Sequence, residues 1–374
     1  MSDFLGVVSL DQSEPSRSNL SIAGFVSRYF SRFSTEKAVK AATNALHNYR
    51  NSQQEEYLTT VITRYRHAYE TSNEKHVQFP DIIMNYTALL NKQDQLSGGK
   101  SNLEEVIRLL EEARAVMERR SSRMEKYGVL LNNLGQAYLD RYRISKTGRD
   151  LQSARDTFEW ACSQNRSSPV SPAYATSLIG SASVIWTACK LQPPAATDIG
   201  RFNVAITLLE TAQEQSDDVE VQAECYRHLA SVYDLLYTRT RDPRDLDLSI
   251  DYYSRVIYML HPQSPSEATT LANLAKQHFE RQKLPNAQPD LTAARRYRDE
   301  AQTLVGEGPE ADELRKEIDV LTKSMEEYCR REPQTPSVSS SRGSMHSRKS
   351  SVRSRKSSVH SRQSSVHSFA SIKE

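Results

Sequence analysis

The sequence predicts an all-α protein: a right-handed solenoid of about five helical hairpins, with flanking capping helices and a disordered C-terminal tail. Three observations carry this. Gly and Pro total only 26 of 374 residues while 26% of the chain is charged, a composition that favours helices over turn-rich β structure. A pattern recurs five times at nearly constant spacing. The last 42 residues hold 16 serines and little large apolar side chain, too little to offset the entropy of ordering.

The repeats are NLEEVIRLLEEA from Asn102, DLQSARDTFEWA from Asp150, RFNVAITLLETA from Arg201, DLDLSIDYYSRV from Asp245 and DLTAARRYRDEA from Asp290. Their anchors Leu103, Leu151, Phe202, Leu246 and Leu291 lie 48, 51, 44 and 45 residues apart. Three residues after each anchor stands Val106, Ala154, Ala205, Ser249 or Ala294, mostly small enough for another helix to approach. An amphipathic helix precedes each, reached by counting back 17 residues to Tyr86, Leu134, Leu229 and Leu274. The third repeat needs 23 residues, from Ile179 to Phe202, because Pro193 and Pro194 force an extended connection. At an offset of 95, Leu134, Tyr138, Tyr142, Arg149, Asp150 and Leu151 recur as Leu229, Tyr233, Tyr237, Arg244, Asp245 and Leu246. Asn102, Asp150, Asp245 and Asp290 are expected to act as helix N-caps, with Glu105 completing a capping box.

Around this array (residues 80–305), Thr35–Tyr49 and Glu55–Tyr69 are expected to form a helical cap within residues 35–79. Residues 1–34 are read as mostly flexible, with one short amphipathic helix over Leu20–Phe33 carrying Ile22, Phe25, Val26, Tyr29, Phe30 and Phe33 on one face. That helix either folds on the body as an extra cap or lies in a membrane interface. Ala311, Leu314, Ile318, Leu321, Met325 and Tyr328 form a stripe over 308–331, expected to close the solenoid. Residues 332–374 make up the disordered basic tail.

LLNNLGQAYLDRY at 130–142 resembles the first helix of a tetratricopeptide repeat (TPR), with Leu134, the close-packing Gly135 and Tyr138. Ala230 and Ala275 stand where the glycine does, and Ala154 and Phe158 match the second helix. The period of about 45 rather than 34 residues is similar to the long-period TPR arrays of filamentous fungi. The resemblance implies an interaction module with a concave face lined by first helices, binding a peptide or helix of another protein. Its groove candidates here are Asn132, Gln136, Asp140, Arg227, Ser231, Asp234 and Lys276. Asn132 and Glu224 occupy the basic positions of the family's carboxylate clamp, so a chaperone C-terminus is not the expected ligand.

No phosphate loop, H-E-x-x-H motif or C-x-x-C pair occurs, so the chain is read as non-catalytic, with no cofactor or metal. Cys162, Cys189, Cys225 and Cys329 are expected to be free thiols, and His228 and His278 packing or surface residues. No apolar stretch reaches membrane-spanning length, and the first fifteen residues hold Asp3, Asp11 and Glu14 without Lys or Arg. A cytoplasmic chain is expected.

Net charge is +2, but residues 333–374 carry +7 and the remainder −5. Within that tail RKSSV at 348–352, RKSSV at 355–359 and RQSSV at 362–366 recur every seven residues. Basic residues three and two positions before Ser351 and Ser358 suit a basophilic Ser/Thr kinase, and Ser365 keeps only the first of these. A weak contact with anionic membranes through the tail and N-terminus is a second reading. With aromatic interleaving limited to Phe369, nucleic acid is not the expected partner. Oligomeric state is not readable.

Overall fold

A computed structural model describes residues 22–52, 55–97, 99–120, 126–166, 171–193, 198–259, 265–284, 290–306 and 309–331. Cα packing divides the chain into Met1–Cys329 and Arg330–Glu374, and the helices below build the first unit. Residues 332–374, including Ser351, Ser358 and Ser365, lie outside the described residues.

Among the described residues there are 13 helices and no strand. They are α1 Ile22–Ser52, α2 Glu55–Thr71, α3 Phe79–Ser97, α4 Leu103–Arg119, α5 Tyr127–Ser145, α6 Gly148–Asn165 and α7 Pro172–Leu191. Then follow α8 Ile199–Glu214, α9 Val219–Thr240, α10 Pro243–Met259, α11 Pro265–Gln282, α12 Leu291–Leu304 and α13 Pro309–Arg331. From α1 to α12 each helix packs on the next, and α7 also contacts α5 and α9, so first helices touch between hairpins. The array is the predicted all-α solenoid of hairpins.

Burial follows the repeat register. Val106, Ala154, Ala205, Ser249 and Ala294 are all buried, as are Tyr86, Leu134, Ile179, Leu229 and Leu274 on the first helices. A Cβ on Gly135 would stand 3.0 Å from the Phe158 ring and one on Gly180 only 2.1 Å from it. Phe158 on α6 therefore fills the space between α5 and α7 that two glycines leave open. Anchors Leu103, Phe202 and Leu246 are buried, whereas Leu151 and Leu291 are half-buried. The stripe of α13 joins the array: Ile318 packs with Leu271 and Ala301, and Met325 with Phe279 and Ala294.

The expected capping role is corrected. The Asn102 side chain makes no cap bond to α4; its amide donates to the Asp94 carboxylate at 2.9 Å, while Asp94 also accepts the Asn102 backbone N–H. Asp150 and Asp245 lie inside the first turns of α6 and α10, and Asp290 precedes α12 without a side-chain cap bond. Asp150 instead takes the Arg141 guanidinium at 2.7 Å and Ser145, Asp290 takes Arg281, and Asp245 accepts from Thr240 at 2.8 Å. At Asp150 and Asp290 a guanidinium on the preceding helix wins over a backbone N–H because charge-assisted bonds are stronger. These carboxylates latch the two helices of a hairpin. Genuine caps stand elsewhere: Asp218 accepts from Glu220 N–H at 2.8 Å, and Ser171 caps α7 with Pro172 at its first position.

The N-terminus also differs from expectation. No break separates residues 22–33 from 35–49, because α1 runs as one helix of 31 residues. It has no Gly or Pro between Phe25 and Ser52 to end it.

Candidate functional site

The seven groove candidates sit on the first helices α5, α9 and α11, and α7 lies between the first two of these. They do not form one continuous site. Three local groups result.

On α5, Gln136 is exposed and donates to Asp140 at 2.9 Å. Asp140 also pairs with Arg143 at 2.8 Å and with Lys100, from the loop before α4, at 3.5 Å. Asn132 is a correction. It is only 5% exposed, donates to the Ala173 carbonyl at 2.9 Å and accepts from Ser177 at 2.8 Å. Asn165 donates to the same serine hydroxyl at 2.9 Å, so this amide pair stitches α5 and α6 to α7 and offers nothing to a ligand.

On α9, Arg227 and His228 both engage Glu224, His228 at 3.0 Å, and His228 approaches Ser183 of α7. Burial opposes ionisation of Glu224, but the His228 hydrogen bond and the Arg227 guanidinium outweigh it and hold the carboxyl at about 2. Ser231 is half-buried, donating to the Arg227 carbonyl at 3.0 Å and meeting the Tyr253 hydroxyl at 3.2 Å. The third group joins α9 to α11: Lys276, exposed, reaches Asp234 at 3.0 Å.

Two residues that periodicity did not single out complete the surface. Trp186 on α7 is half-buried and donates to the Ser231 carbonyl at 3.2 Å, with the Lys190 ammonium 5.3 Å from its ring centroid. It is one of only two tryptophans in the chain, a compositional signal that could have marked it. Glu224, seen in sequence only as a lost clamp position, is the hub of the α9 cluster.

The three groups present paired surface charges. Their charges are met mostly by exposed partners, and such pairs are worth only about 0–1 kcal/mol, so an incoming partner can exchange them at little cost. Among the described residues no group of three or more His, Cys, Asp or Glu could hold a metal ion. All four cysteines are free, and burial raises the thiol of Cys225 to about 12, which keeps it protonated. No described helix is long and apolar enough to cross a membrane.

Consecutive packed hairpins, with Gly135 and Gly180 closing on the Phe158 ring, define a helical-repeat fold. No family model and no curated protein matches the chain. Solved structures similar to it include a putative kinesin light chain of Podospora anserina with nearly identical TPR-like repeats, at 17% identity over 67% of this chain and 100% of that one, TM-score 0.38. BtubC (BKLC) from P. vanneervenii is 14% identical over 85% of this chain and 99% of that one, TM-score 0.34. Nro1, described as a hypoxic regulator of sterol synthesis and nuclear import adaptor, is 14% identical over 77% and 95%, TM-score 0.39.

Proposed function

We propose that the chain is a non-catalytic cytoplasmic adaptor that takes a peptide or helix of a partner protein along α5, α7, α9 and α11. The observation that carries the reading is the placement of half-buried Trp186 between the Asp140 and Asp234–Lys276 charge groups. A rigid aromatic set among exchangeable charges is what interface hot spots are made of. Gln136, Asp140, Arg227, Asp234 and Lys276 supply orientation and charge, whereas Asn132 belongs to the scaffold.

Phosphorylation of Ser351, Ser358 and Ser365 by a basophilic kinase is proposed to regulate this binding. Each phosphate adds about −1.5 to −2, so three to five of them cancel or invert a tail of +7. Affinity purification with mass spectrometry tests both parts, using the full chain, a Trp186→Ala/Lys276→Glu variant, and a variant with the three serines changed to alanine. A partner retained by the wild type, lost from the first variant and altered in the second supports the proposal. Absence of a partner that depends on Trp186 and Lys276 sinks it.

A further inference from the structure

α11 and α12 meet at His278, the one histidine of the sequence between residues 265 and 331. It is 8% exposed, and its ring stacks on that of Tyr297 with centroids 5.3 Å apart. Its Nδ1 stands 3.4 Å from Arg281 Nη2 and 3.5 Å from Asp290 Oδ2. Arg281 Nε already donates to that same carboxylate oxygen. The Asp290 charge is therefore met before the ring could add one.

The charges around the ring come from three helices and the residue before α12. Arg281, on α11 itself, also reaches Asp247 of α10 at 3.1 Å. Arg296 of α12 lies over the Tyr297 ring at 4.5 Å and pairs with Glu300 at 3.7 Å. In the sequence, residues 285–289 between the two helices include no titratable side chain. Burial pushes the His278 ring below the ordinary imidazole value of 6.5; Asp290 opposes the shift, and the Arg281 and Arg296 guanidiniums add to it. A neutral ring can leave Nδ1 bare towards the Arg281 N–H. A protonated ring donates from both nitrogens, and a guanidinium has no lone pair to receive it. The acceptor within reach is the Asp290 oxygen that Arg281 holds.

We propose that His278 is a pH-sensitive latch between α11 and α12: uptake of a proton by its ring loosens this hairpin while those formed by α3 to α6 stay closed. Neutral His278 stabilises the hairpin in full above pH 6.5, and that stability is lost as pH falls below this value, because the unfolded ring binds the proton more tightly. The loss is local because the surrounding core is small: Phe279 packs with Ala294 and Met325, and Leu271 with Ala301 and Ile318. Imidazole is the side chain whose ordinary pKa falls between about pH 5 and 8, and α11 to α13 hold no second one. The proposal stands on α11 and α12 alone and is independent of the adaptor reading.

Hydrogen-exchange mass spectrometry of the full chain at about pH 7.5 and about pH 5.5, corrected for the pH dependence of free-amide exchange, tests it. One unit below 6.5, the opening constant of α11 and α12 should have risen by up to about tenfold, with α3 to α6 unchanged. His278→Gln keeps an acceptor for Arg281, His278→Phe keeps the stack on Tyr297, and neither titrates. Each should open equally at both pH values, whatever its stability at the higher one. In the wild type, proton NMR should show the His278 ring titrating with a midpoint below 6.5. The proposal is overturned if acid leaves α11 and α12 of the wild type unchanged, or if either variant keeps the acid response. It is also overturned if acid loosens α1 to α13 uniformly, or if the ring titrates at 6.5 or above.

Discussion

At the scale of single residues, buried polar groups separate what stabilises this chain from what burdens it. Gln277 on α11 is fully buried, and among the described residues neither its Oε1 nor its Nε2 has a hydrogen-bond partner. Counting from the shared leucine, its counterparts are Ala137 on α5 and Val232 on α9, both apolar and both buried. Leaving a buried amide unsatisfied costs about 1–3 kcal/mol, so Gln277→Leu is expected to raise stability by about that amount in urea melts. A destabilised variant would mean that the amide is held by groups outside the described residues. Glu224 makes a second case, with the opposite sign. Its folded pKa of about 2 lies below the ordinary 4.5, so the stability it adds is present above pH 4.5 and is lost as pH falls towards 2. With 39% of its side chain exposed, solvent screening discounts that gain to about 1 kcal/mol. Glu224→Gln should therefore flatten the acid limb of the stability–pH curve between pH 4.5 and 2. An unchanged acid limb would show that the His228–Glu224 bond adds nothing to the folded state.

At the scale of elements, the second and fourth hairpins share one backbone feature at the turn between their helices. Lys146 after α5 and Arg241 after α9 both adopt left-handed backbone, φ 57° and 58°, each donating its N–H to the tyrosine carbonyl four residues back. Each cation also lies over that tyrosine's ring, at 6.0 Å for Lys146 and 5.5 Å for Arg241. Left-handed backbone costs a non-glycine residue about 1–2 kcal/mol, whereas glycine gives back about half of that in unfolded-state entropy. Lys146→Gly and Arg241→Gly should then each stabilise by about 0.5 kcal/mol, less any loss of the ring contact, and Lys146→Val should destabilise by more than 1 kcal/mol. Equal stability of the Gly and Val variants would remove the strain argument. The same turns mark the limit of legibility in the sequence. Helix positions were readable from Leu134, Leu229 and the small residues at Ala154 and Ala294, because a 3.6-residue period exposes them directly. The partners of Asn102, Asp150 and Asp290 were not, because a polar side chain at a helix start has both a local backbone donor and a more distant charged group within reach, Arg141 for Asp150, Arg281 for Asp290 and the Asp94 carboxylate for Asn102. Asn132 failed as a groove residue for a related reason: periodicity gives its side of α5 but not the neighbouring hairpin that covers it. Trp186 and Glu224 act through pairings 45 and 4 residues away respectively, and only the second distance is a helical spacing.

At the scale of the whole hairpin unit, the apolar core is not evenly distributed, and this predicts where the array opens first. Buried side chains from α1 to α6 form one continuous cluster, from Ala38 to Phe158, with Val184 of α7 joining it. A second cluster spans α7 to α10, from Ala175 to Val256. Towards the C-terminus the core breaks into three small groups, around Leu246 and Tyr253, around Leu271 and Ile318, and around Phe279 and Met325. In a linear array each hairpin is held by its neighbours alone, so small clusters at one end set a low free energy for opening that end. The unsatisfied Gln277 lies in the same segment and adds to the effect. Amides of α11, α12 and α13 are therefore expected to exchange with solvent at an opening free energy about 2 kcal/mol or more below that of α3 to α6. Ile318→Ala removes a side chain only 2% exposed and should cost about 2–5 kcal/mol locally. Hydrogen-exchange mass spectrometry would then show faster exchange from α11 onward with α3 to α6 unchanged. If Ile318→Ala instead accelerated exchange uniformly from α1 to α13, the hairpins would unfold as one cooperative unit, and the inference from divided clusters to stepwise opening would fail.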